Sequence, residues 1–212
     1  EMSATLKRCA VQLSKIARDL RLMSSGPRCG IGEIKLPPLQ PGSSIMPGKV
    51  NPVMCEMLNM VCFQVAGCDR TVAAAAAAGQ LELNVMMPVM AHNILEAMSL
   101  LQAAVAAFTR ACLRGLRADA ERARRYFERS PSIATALTPL IGYARAAELA
   151  KESLRTGRTI VELVLERGVL DERTARRALD PARLTRPGVL AAAGRGVRIR
   201  RVGGRSARAR RG

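Results

Sequence analysis

Apolar residues recur at helical intervals through most of this chain, and one long stretch rich in glycine and proline interrupts them. From Thr5 to Ser24, Leu6, Leu13, Ile16, Ala17 and Leu20 stand among basic and polar positions, which predicts the end of an amphipathic helix. Ser24-Ser25-Gly26-Pro27 stops it, and loop chemistry continues to Asn51. A loop this long inside a compact domain is uncommon and often functional. After Pro52, Met54, Leu58, Val61 and Val65 form one helical stripe, while Met57, Met60 and Cys62 make other faces apolar too. A helix apolar nearly all round is expected to be buried. It should run from Pro52 to Ala78, with Asn51 at the cap, Pro52 at the first helical position and Gly79 as the stop. A second long helix is expected from about Asn84, with Ile94, Met98, Leu101, Val105 and Phe108 on one face. Pro88 should kink its first turns and Gly115 should close it.

Residues 119–188 have a different texture of short helices with visible punctuation. Asp119, Ser130-Pro131, Thr138-Pro139 and Asp171 are expected caps, and Thr159 to Glu162 has the form of a capping box ahead of a helix ending near Gly168. Two long antiparallel helices with apolar surface on several sides cannot cover themselves. A multi-helix core shared between subunits is therefore expected.

Composition supports helices over sheets: five aromatic residues and no Trp, with abundant Ala, Leu, Met and Arg. The net charge of +17 is unevenly spread, because residues 189–212 carry eight Arg and no acidic residue, leaving +9 for the rest. That Gly/Arg/Ala-rich tail is expected to be disordered. It would attract phosphate without specificity but has no aromatic residue on which a base could stack, so nucleic-acid binding is not the expected function. No uncharged apolar run reaches the length of a membrane span, Ala97 to Thr109 coming nearest, and no signal peptide is recognisable. The six cysteines, at 9, 29, 55, 62, 68 and 112, include no CxxC pair, and with one His a zinc site is not expected. Reduced core thiols in a cytoplasmic protein are the simpler expectation.

The segment Gly42-Ser43-Ser44-Ile45-Met46-Pro47-Gly48-Lys49-Val50-Asn51-Pro52 is the sharpest chemical signal. A phosphate-binding P-loop fails on spacing, with five residues between the glycines, and on Val50 where Ser or Thr should follow the Lys. What remains is a Gly/Ser loop feeding a helix start, where free N–H groups and Lys49 suit an anion. Ser43 or Ser44 could act as a base beside a carboxylate, with the dianionic intermediate held by Lys49 and Asn51. The same residue types also make an ordinary capped turn with solvated Lys and Ser. Chemistry alone leaves both readings open.

That eleven-residue segment resembles the signature of the fumarase/aspartase superfamily. Ser24-Ser-Gly-Pro-Arg-Cys-Gly30, Gly79-Gln-Leu-Glu-Leu-Asn-Val85 and Ile141-Gly142-Tyr143 also match, so the similarity runs from about residue 5 to 188. The resemblance implies an all-α fold. Residues 1–118 would be the carboxy-terminal part of a central helical bundle containing the catalytic loop (25–52), followed by a small helical domain over 119–188 and the tail over 189–212. It implies a homotetramer with active sites shared between subunits, no cofactor and no metal, and reversible elimination from a four-carbon dicarboxylate. By motif position Ser43 would remove the C3 proton; Ser44, Lys49, Val50 and Asn51 would bind the substrate; Glu56 would support a catalytic His.

The family's subunits are roughly twice this length, so the chain is expected to be part of a larger enzyme and inactive alone. His92, the single His, cannot take the partner role for Glu56 by motif and is expected to be structural. Asn59, Phe63 and Gln80-Leu81 resemble aspartases more than class II fumarases, and that resemblance implies a carbon–nitrogen lyase (aspartate ammonia-lyase), with a carbon–oxygen lyase (class II fumarate hydratase) as the alternative. A non-enzymatic oligomerisation module with a nucleic-acid-binding tail is the remaining alternative.

Overall fold

The computed structural model describes residues 1–40, 46 and 48–187. The fold is all-α, as expected. Its helices are α1 (Met2–Met23), α2 (Val53–Ala77), α3 (Met87–Ala111), α4 (Ala120–Arg129), α5 (Thr138–Ile141), α6 (Tyr143–Thr156), α7 (Ile160–Glu166), α8 (Glu172–Ala178) and α9 (Pro181–Leu184). Two strands that no periodicity announced, β1 (Ile34–Lys35) and β2 (Arg117–Ala118), pair antiparallel with Ile34 opposite Ala118. The chain divides into two units, Glu1–Ala120 and Glu121–Gly212. The basic tail 189–212 lies outside the described residues.

In the first unit α1 and α2 run antiparallel. Lys7 and Ser3 near the start of α1 both reach Asp69 late in α2, whereas Arg21 at the end of α1 reaches Glu56 at the start of α2. Midway, Ser14 donates to Asn59 Oδ1 at 2.8 Å in a buried pair that fixes the register of the two helices. α2 and α3 are antiparallel as well. The Cys68 thiol approaches Glu96 early in α3, and the Cys55 thiol hydrogen-bonds Cys112 just past its end. Each 25-residue helix spans roughly 37 Å, so α2 carries its amino-terminal turn far from the turn at residues 78–86.

The seam of this unit is built from small side chains. Ala10 and Ala17 of α1, Cys55, Leu58, Cys62, Val65 and Cys68 of α2, and Ala97, Leu101, Ala104 and Phe108 of α3 are buried together. The buried face of α3 is thus rotated from the expected one, and Met98 and Val105 are exposed. α2 is not buried all round either: Met60 is 63% and Phe63 55% exposed. Three helices cover one face of each other and leave the rest of an all-round apolar helix open. Four of the six free cysteines are core thiols as expected, but Cys9 and Cys29 are exposed. Burial pushes the Cys55 thiol up to about 12, and the neighbouring Cys112 thiol adds to the effect.

Helix ends supply further corrections. The α3 helix begins at Met87, so Pro88 falls in its first turn, where its missing N–H costs no intrahelical bond. Met87–Gly115 is long and apolar enough to cross a membrane by length and composition, a criterion that tolerates the few charges which break its uncharged runs. Ala97, Leu101, Ala104, Phe108 and Cys112 nevertheless pack against the α1/α2 seam.

The second unit has its own core, with Leu137, Leu149, Ile160, Leu163, Val164 and Ala175 buried. The Thr159–Glu162 capping box forms in full, and Asp171 accepts from the Thr174 N–H at 2.9 Å. Ser130 takes the cap position ahead of Pro131 as expected, but neither X-Pro residue caps with its side chain. Ser130 turns its hydroxyl to Ser132 at 2.6 Å, and Thr138 is already the first residue of α5.

Candidate functional site

The segment between α1 and α2 is held at its neck and along its first half. Ser24 and Ser25 end α1, their hydroxyls donating to the Arg21 and Leu22 carbonyls, and Ser25 Oγ accepts the Ile31 N–H at 3.1 Å. The Glu33 N–H returns to the Met23 carbonyl at 2.9 Å, and the Glu33 carbonyl accepts from the Asp119 N–H at 2.7 Å. The β1–β2 pairing and the Lys35–Asp119 ion pair at 2.9 Å tie the same stretch to the chain beyond α3. Gly115 belongs to this anchor, since a Cβ there would lie 2.5 Å from Pro37 Cγ. The expected structureless loop is therefore pinned through about Pro37. Asp119 also pairs its carboxylate with Lys35, a role that its position before α4 did not reveal.

Ser43 and Ser44 fall outside the described residues. Downstream of them the chain turns at Met46, whose carbonyl accepts the Lys49 N–H at 3.1 Å. Gly48 sits at φ +81°, a backbone state that suits glycine. Lys49 and Val50 are exposed, and Lys49 has no ion-pair partner among the described residues. Asn51 does not cap α2. Pro52, at ψ 61°, takes the cap position, and Asn51 instead gives its carbonyl to the Val53 N–H at 2.9 Å. No side chain among the described residues caps the helix, so its positive end can receive an anion, and the Asn51 amide is unspent on the described residues.

One turn into α2, Glu56 receives the Arg21 guanidinium at 3.2 Å on Oε1. Lys49, Asn51 and Glu56 thus lie in sequence along the chain that enters α2, with Arg21 brought to them by α1. Sequence reading missed Arg21, because a basic residue in a last helical turn reads as ordinary dipole compensation. His92 lies early in α3, near the Cys68 end of the helix pair, and its exposed ring pairs loosely with Glu96 at 3.8 Å. It is far along the bundle from Glu56, which adjoins the Cys55–Cys112 end. This arrangement can bind a carboxylate and stabilise negative charge that develops beside it.

Two family models match, one for a lyase over residues 1–67 and one for the carboxy-terminal part of fumarase C over residues 133–186. The chain is 49% identical over 189 residues to the aspartate ammonia-lyase of Bacillus subtilis, a match covering 89% of this chain and 40% of that protein. It is 50% identical to the aspartate ammonia-lyase of Pseudomonas aeruginosa, over 87% of this chain and 39% of the relative. Among solved structures, a fumarate lyase:delta crystallin of Brucella melitensis superposes with a TM-score of 0.82 at 54% identity, covering 87% of this chain and 40% of that one. A class II fumarase of Schistosoma mansoni superposes with a TM-score of 0.79 at 37% identity, covering 87% and 39%. The chain spans about 40% of the length of the curated relatives it matches.

Proposed function

Because the chain belongs to the fumarase/aspartase superfamily, we propose that it carries the proton-abstracting loop of an aspartate ammonia-lyase. Ser43, as an alkoxide, takes the C3 proton of aspartate. The electron pair released from the C3–H bond moves first into the adjacent carboxylate, giving an aci-carboxylate with two negative charges. It then forms the C2–C3 double bond as the C2–N bond breaks, leaving fumarate and ammonia. Ser44, Lys49, Val50 and Asn51 hold the carboxylate throughout. They contribute most when its charge doubles, and each such donor is worth on the order of a hundredfold in rate. Glu56 orients a catalytic imidazole supplied from outside this chain. Exclusion of water from the substrate strengthens every one of these interactions.

The observation that carries this reading is that Lys49 and the Asn51 amide, neither of them paired with another described residue, are delivered to the start of α2, which no described side chain caps. The open apolar faces around Met60, Phe63, Leu95, Met98 and Val105 fit the second part of the proposal, a homotetramer whose sites draw residues from several subunits. Class II fumarate hydratase is the second reading, favoured by the likeness to the schistosome fumarase. It uses the same loop chemistry with water as the leaving group.

The test is a comparison of substrates. A lyase subunit of the relatives' length that carries this sequence is incubated with aspartate and, separately, with malate, and fumarate absorbance is followed. Fumarate from aspartate alone is the expected result. Fumarate from malate alone would transfer the assignment to the hydratase, and fumarate from neither would overturn both.

A further inference from the structure

The ion pair between Arg21 and Glu56 joins the last turn of α1 to the first turn of α2, the two helix ends from which the loop is hung. Its geometry is one-sided. Arg21 Nη2 meets Glu56 Oε1 at 3.2 Å, while Oε2 makes no hydrogen bond or ion pair with any other described residue. The Arg21 carbonyl meanwhile accepts the Ser24 hydroxyl at 3.1 Å, where the chain leaves the helix. The charge of the same guanidinium reaches the Cys55 thiol, beside Glu56 in sequence.

We infer that Arg21 is a positioning residue: it holds the Glu56 carboxylate by one oxygen and leaves the other to accept an imidazole N–H, while clamping the neck of the loop. This rests on the proposed role of Glu56. A carboxylate on a flexible side chain orients a base only if its own position is fixed, and a guanidinium does that without consuming both oxygens. The Arg21 and Glu56 side chains are 43% and 35% exposed, so the pair adds little to overall stability and its effect belongs to the site. A mere complement to the α1 dipole would act wherever the charge sat in the last turn and would be indifferent to Glu56.

The experiment is a double-mutant cycle on Arg21→Met and Glu56→Gln in a lyase subunit of the relatives' length, read as kcat and KM for fumarate formation from aspartate. Arg21→Met is expected to lower kcat about tenfold with KM within about twofold, and to cost nothing further once Glu56→Gln is present. Arg21→Lys should recover part of the loss, and Arg21→Gln replaces Arg21→Met in the cycle if that variant does not assemble. If Glu56→Gln lowers kcat but the Arg21 variant does not, or if the Arg21 loss is undiminished in the Glu56→Gln background, the assignment of Arg21 is overturned and the loop chemistry is untouched. If Glu56→Gln itself leaves kcat unchanged, the role of Glu56 fails and takes this inference with it.

Discussion

Asp69 gives the most direct handle on how α1 is fastened to α2 at the end away from the loop. Its carboxylate is buried at 7% exposure and accepts hydrogen bonds from Lys7 and from Ser3, the latter at 2.8 Å. The Lys7 bond, and after it the Ser3 bond, hold the Asp69 carboxyl below the usual carboxylate range. Asp69→Asn keeps the volume and one acceptor oxygen, so it removes the charge and little else. A hydrogen bond to a charged group is worth about 1.5–3 kcal/mol, but Lys7 is half exposed and screened, so a cost of about 1–2 kcal/mol is expected at neutral pH. That corresponds to a factor of roughly 5–30 in local opening.

Amide exchange of the first half of α1 reads this locally, as the ratio of variant to parent rates at each pH. A carboxyl whose folded pKa is depressed contributes stability that is fully present above the unfolded value, about 3.9, and is lost as pH falls through the folded value. The ratio should therefore stay constant from pH 7 to about 5, then shrink towards one as the solution is acidified below about 4. A ratio that is independent of pH, or that grows in acid, would refute the assigned pairing.

Other consequences are simpler to read. Gly115→Ala drives a methyl group into Pro37, with a Cβ 2.5 Å from the ring, and should cost on the order of 1–3 kcal/mol in the first unit. It should also speed amide exchange at Lys35 and Asp119, and unchanged exchange there would show that the β1–β2 anchor is not held by this contact. A thiol reagent should modify Cys9 and Cys29 rapidly in the folded chain, and Cys55, Cys62, Cys68 and Cys112 only after unfolding. Rapid loss of all six thiols from the folded chain would contradict the buried seam.

Much of the bundle was legible because its punctuation is local. Ser24-Ser25-Gly26-Pro27 ends α1, and the apolar run after Pro52 can only be a long helix. The Thr159–Glu162 box announces α7 residue by residue. The faces were less legible. On α2 and α3 nearly every side is apolar, so periodicity does not fix which stripe turns inward. Packing chose Ala97 and Ala104 over Met98 and Val105 as the neighbours of Leu101, because small side chains let the helices approach. The β1–β2 pairing joins two dipeptides some eighty positions apart and has no signature. The Arg21–Glu56 contact likewise depends on the antiparallel register of α1 and α2, which the Ser14–Asn59 bond fixes and a linear reading does not reveal. The motif placed Lys49, Asn51 and Glu56 on one stretch of chain, but it did not show that Pro52, and not Asn51, occupies the cap.

The central claim is that a loop hydroxyl takes a proton from carbon beside a carboxylate held at the start of α2. It is tested most directly by Ser43→Ala in a lyase subunit of the relatives' length, with fumarate formation and aspartate binding measured on the same preparation. The account predicts that turnover falls by at least about a thousandfold while aspartate still binds, because Ser43 acts on the transition state and Lys49 and Asn51 remain to hold the ground state. Turnover within a few fold of the parent, with binding intact, would contradict it.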